Sequence, residues 1–182
     1  MSATLLIAGH EWRRLRAQPF AWTLAAVVLA FMAWQFLLAL QAFVDLAPKL
    51  GGLKDAPGVT DLVAIPLLRS LSNLLLPLIP LVTMRAFAGE RRAATLPLLL
   101  ASGVGNLRIV LGKFVGAFGY VLVLVALVAV MPLALAAGTT LDLGKIAAAL
   151  LGLALFAGAL TGIGLVCSAW ASQPALAAAA AF

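Results

Sequence analysis

Four long stretches of this chain carry almost no charge, and they limit its fold more than any other feature. Phe20 to Val44 has no ionisable residue, and Leu62 to Met84 is interrupted only by Arg69. The third stretch is uncharged from Phe114 to Ala137, with Lys113 closing its start, and the fourth runs uncharged from Ile146 to Trp170. A hydrocarbon core of ~30 Å takes about 20 mostly apolar residues as a helix. Backbone groups in lipid must bond within their own segment. Membrane-spanning helices are therefore expected over 20–44, 62–84, 109–137 and 146–170. Composition agrees: 65% of the 182 residues are hydrophobic and 10% charged, against about half and a quarter in soluble domains. One small globule of this size buries only ~70% of its surface, too little to hide so much apolar area. The fold class expected is all-α, a polytopic membrane helix bundle forming a single domain over 1–182. A soluble enzyme or regulator is excluded.

Two further apolar segments need placing. The first run is longer than the ~7–15 residue core of a cleavable signal, and no convincing small-residue cleavage site follows it. It is expected to stay as a span. A fifth apolar run, 174–182, is too short to cross and is expected to be the start of a fifth span in a cropped chain.

The basic residues set an orientation, because Lys and Arg accumulate in cytoplasmic loops. Arg13, Arg14, Arg16, Arg85, Arg91, Arg92, Arg108 and Lys113 fall on one side of the expected spans, and Lys49, Lys54, Arg69 and Lys145 on the other. Glu11 and Glu90 lie with the larger group, and Asp45, Asp55, Asp61 and Asp142 with the smaller. The net charge of +6 thus belongs to the side holding the N-terminus and the Arg85–Lys113 loop, which is expected to be cytoplasmic. Within 3–18, Leu5, Ala8, Trp12 and Leu15 share one helical face, while His10, Arg13, Arg14 and Gln18 lie away from it. This describes an amphipathic helix in the interface, ended by Gln18-Pro19. It reads equally well as a plain basic anchor.

Catalytic groupings are not visible. There is one His, His10, and one Cys, Cys167, so neither a disulfide framework nor a His-rich metal site is available. Gly112-Lys113 fails as a phosphate loop, because Leu107 stands where the earlier Gly is needed and Phe114 where Ser or Thr is needed. No catalytic, cofactor-binding or metal-binding residue is expected, and no nucleic-acid partner. The intramembrane cation Arg69 is a functional candidate by default. With Asp61, Ser72 and Asn73 it makes a polar patch near the outer interface, which either anchors the helix or lines a translocation path. Gly112, Gly116 and Gly119, and Gly158, Gly162 and Gly164, allow close helix approach, within one subunit or across a dimer seam. Pro66, Pro77 and Pro80 are expected to bend the second span.

The stretch from Met84 to Lys113 is too long for a tight turn and too apolar for a solvated loop. Leu96, Leu98, Leu99 and Leu100 need cover, between Glu90, Arg91 and Arg92 on one side and Arg108 and Lys113 on the other. A short helix along the cytoplasmic face fits, either docking a soluble partner or packing on its own bundle.

This stretch resembles the permease subunits of type 2 ABC transporters, especially the group that includes gliding-motility and multi-copper-enzyme maturation exporters. Met84, Arg85, Phe87, Ala88, Glu90, Arg91, Arg92, Thr95, Leu96, Leu99, Ser102, Gly112 and Lys113 match the family's pattern. Glu11-Trp12-Arg13-Arg14 through Pro19 is similar to its opening cytoplasmic helix. Ala94, Pro97 and Gly103 depart from it, which bears on where a coupling helix starts and ends. The resemblance implies a six-span fold and a non-catalytic membrane subunit in a bacterial inner membrane. It implies two partners amid the membrane lipids: a cytoplasmic ATP-binding subunit and a second permease copy or paralogue. The segment 88–104 would be the coupling helix, with Glu90, Arg91, Arg92, Thr95, Leu96, Leu99 and Ser102 as ATPase-coupling residues. A secondary transporter or channel would call for intramembrane carboxylates or paired broken helices, which are not evident. A non-transporting scaffold would leave the Met84–Lys113 stretch without a purpose.

Overall fold

The computed structural model describes residues 7–10, 12–13, 17–50, 57–84 and 105–170. The described residues form helices and connecting turns, with no strand among them. The N-terminal residues 7–10 and 12–13 are helical. Helix α1 is Pro19–Leu50. A π-helical turn, Thr60–Ala64, leads directly into α2, Ile65–Thr83. Helix α3 is Asn106–Leu133, closed by a 3-10 turn at Ala134–Ala137, and α4 is Leu143–Trp170. Among the described residues, four helices are long and apolar enough to cross a membrane. The chain is an all-α polytopic membrane protein.

Because the helices are apolar nearly all round, the hydrophobic effect does not decide which face turns inward. Side-chain packing does. On α1 the buried stripe is Ala21, Ala25, Val28 and Met32, spaced three and four apart as a helix face requires. Trp22, Val27, Trp34 and Leu37 on its other faces stay exposed. Helix α2 is the hub. Leu67, Leu68, Leu71, Leu75, Leu78 and Ile79 are all buried there, and it touches α1, α3 and, most extensively, α4. Val121, Leu124, Val125 and Val128 of α3, with Leu153 and Ala157 of α4, complete the core.

Helix α1 runs past its apolar stretch to Leu50. Its 32 residues span about 48 Å at ~1.5 Å per residue, some three turns beyond the hydrocarbon core. Asp45, Pro48 and Lys49 occupy the overhang, where water can meet their polar groups. Helix α2 continues through Pro77 and Pro80 without interruption.

The described glycines show which close approaches are used. A Cβ on Gly158 would meet the Phe118 ring at 3.5 Å, and one on Gly119 would meet the Trp12 ring at 3.7 Å. One on Gly164 would overlap the Thr83 hydroxyl and lie 3.1 Å from its Cβ. All three contacts lie within the subunit. Gly162 has open space instead, so within this chain the close approaches of α4 are at Gly158 and Gly164.

The N-terminal residues join the bundle. Ala8 is buried and Trp12 half-buried against Gly119, while His10 and Arg13 are exposed. Leu5, Arg14 and Leu15 lie outside the described residues. Just beyond, the Tyr120 hydroxyl donates to the Ala21 carbonyl at 2.7 Å, tying α3 to the first turn of α1. Tyr120→Phe should lower the thermal midpoint of the purified protein by a modest step, about 0.6 kcal/mol for an interhelical bond of this kind. An unchanged midpoint would mean the bond adds nothing.

Candidate functional site

Helices α2 and α4 run parallel, and polar contacts join them at both ends. At their starts, the Lys145 ammonium donates to both Asp61 carboxylate oxygens, at 2.8 and 3.0 Å. Asp142 stands just before α4 and accepts from the Lys145 backbone N–H at 3.1 Å, an N-cap that satisfies one of the helix's unpaired donors. Its own N–H donates to the Thr60 hydroxyl at 3.0 Å. The π-helical turn before α2 is thereby fastened to the start of α4.

At the other end, Thr83 packs on Gly164. The Ser168 hydroxyl donates to the Met84 carbonyl at 3.2 Å, and the Thr83 hydroxyl donates to the Ile79 carbonyl at 2.9 Å. Met84 is the last described residue before 85–104. Glu90, Arg91, Arg92, Thr95, Leu96, Leu99 and Ser102 therefore lie outside the described residues. The chain resumes at Gly105, and Lys113, two turns into α3, is only 1% exposed. Gly112 and Gly116 beside it are also buried. Sequence reasoning placed Lys113 near the start of the span expected over 109–137 and grouped it with the cytoplasmic cations, without expecting its burial. The helix begins three residues before the expected span, at Asn106, and Lys113 is buried within it.

The polar patch expected around Arg69 is divided. Asp61 belongs to the ion pair with Lys145. Arg69 and Ser72 line an open groove of ≈390 Å³ between α2 and α4, with Leu68, Gly152, Leu153 and Phe156. The Ser72 hydroxyl donates to the Arg69 carbonyl at 2.7 Å. Asn73 is exposed and does not line the groove. Among the described residues no cluster of His, Cys, Asp or Glu could hold a metal ion.

Compared with known proteins, residues 5–182 match the model of the ABC-2 family transporter proteins. The match covers nearly the whole chain and includes both helix-pair ends and the groove. No curated protein matches the chain.

Proposed function

On the premise that this chain belongs to the ABC-2 transporter family, we propose that it is the permease subunit of an ATP-driven exporter. That it is a membrane-embedded transporter component follows from the family and the four apolar helices. The export direction, the separate cytoplasmic ATP-binding subunit and the pairing with a second copy or paralogue are the proposal. So are an inner-membrane location and a cytoplasmic N-terminus, supported by the excess of Lys and Arg on that side. The Met84–Lys113 motif supports a place beside the gliding-motility and multi-copper maturation exporters.

The single observation that carries the coupling proposal is the attachment of Met84. A force on 85–104 reaches α2 through its last turn and α4 through the Ser168 hydroxyl bound to the Met84 carbonyl. Glu90, Arg91 and Arg92 would supply polar contacts to the ATPase, with Leu96 and Leu99 as apolar ones and Thr95 and Ser102 near the ends of the contact. The permease would hydrolyse no ATP itself. It would pass the partner's closing motion to the helix bundle, and alternating access would follow.

Co-purification with the ATP-binding subunit tests this, comparing wild type with the Glu90→Ala/Leu99→Asp double variant. Losing an interface anchor costs about 2 kcal/mol, roughly thirtyfold in affinity. The double variant should lose the complex and its stimulated ATPase activity. A complex that survives with full stimulation overturns the coupling assignment.

A further inference from the structure

We propose that the groove between α2 and α4 binds an anionic phospholipid of the surrounding bilayer, with Arg69 holding the phosphate. Its lining is apolar apart from Arg69 and Ser72. The Ser72 hydroxyl spends its proton on the Arg69 carbonyl. Among the described residues Arg69 makes no ion pair, and the acids nearest in sequence or fold are committed elsewhere. Asp61 holds Lys145 in a two-oxygen contact, and Asp142 caps α4. One cation on an apolar wall, without a counter-ion among the described residues, calls for an anion that arrives with an apolar body.

The shape and depth agree. Gly152 is exposed, and a Cβ there would meet nothing within 4 Å, so the groove floor is open to a chain running past it. At ≈390 Å³ it lies toward the small end of the ~300–1,000 Å³ range of ligand sites, right for part of a lipid. Arg69 follows Asp61 by eight residues, about 12 Å along the axis. The Asp61–Lys145 pair is polar enough to sit among headgroups. An arginine beneath them extends its stem along the wall and lifts its guanidinium to phosphate level.

A second copy of the chain fits less well. A two-fold interface places the same patch on both partners, and would bring one unpaired Arg69 toward another. The lipid site is separate from ATP coupling and does not rest on the exporter reading.

Native mass spectrometry of the full chain in mild detergent, titrated with phosphatidylglycerol or phosphatidylcholine, tests it. The wild type should retain phosphatidylglycerol about fivefold better, the weight of one cation near an anionic surface. Arg69→Gln should erase the preference, and Lys145→Gln, a cation already paired, should leave it. Gly152→Leu, which fills the floor, should weaken both lipids, and it carries the test if Arg69→Gln does not fold. Three results would overturn the proposal: no preference in the wild type, a preference that survives Arg69→Gln, or disulfide-linked dimers from Gly152→Cys.

Discussion

Lys113→Glu should destabilise the protein more than any other single charge change in the described helices, by about 3–5 kcal/mol. The Lys113 side chain is among the largest that the bundle buries completely. An ammonium offers three donors and no acceptor, so the groups around its head must accept. A carboxylate there would set acceptors against acceptors at a buried position, and a charge buried without compensation is costly. Lys113→Met keeps an unbranched stem of similar length and removes only the charged head. Its loss should be smaller, and the gap between the two variants isolates the charge from the packing. Melting followed by size-exclusion fluorescence reads both. A Lys113→Glu protein that melts with wild type would show that this side chain is not held inside.

Gly164→Ala should be the most damaging of the small changes, at about 1–3 kcal/mol for overpacking a tight contact. The added methyl has nowhere to go: the Thr83 hydroxyl overlaps it, with Thr83 Cγ2 at 3.4 Å. Thr83 cannot easily turn aside, because its hydroxyl is bonded to the Ile79 carbonyl and its side chain is buried. Thr83→Ala removes both the hydroxyl and Cγ2. The double variant should therefore recover part of what Gly164→Ala loses, a non-additivity that a double-mutant cycle measures directly. Simple addition of the two losses would mean that the helices do not meet here.

The all-α membrane bundle is readable from the apolar runs, because lipid leaves a backbone few alternatives. Which face of each helix turns inward is not. Helix α4 is apolar around most of its surface, and its buried residues Ile146, Leu153, Ala157, Thr161, Gly164, Leu165 and Ser168 follow from packing on α2 and α3 rather than from polarity. Arg69 stood out because a cation in an apolar run is an exception. Lys113 did not, since it sits where an uncharged run begins and resembles a flank. Asp142 was counted as an outer charge, although an Asp directly before a helix is an N-cap signal. The groove was hidden for another reason: it needs Gly152 of α4 beside Arg69 of α2, and no local pattern links residues so far apart. Glu90, Arg91, Arg92 and Leu99 rest on the motif, and their placement stays a proposal.

The two fastenings between α2 and α4 have a consequence for motion. Lys145 and Asp61 are 84 positions apart, and so are Ser168 and Met84. Equal lengths of helix therefore lie between the pins on either side. Sliding either helix along the other would break these contacts, so together they resist shear between the two helices. Under the coupling proposal, a push delivered at Met84 would tilt or rotate the two helices together, toward the Asp61–Lys145 end.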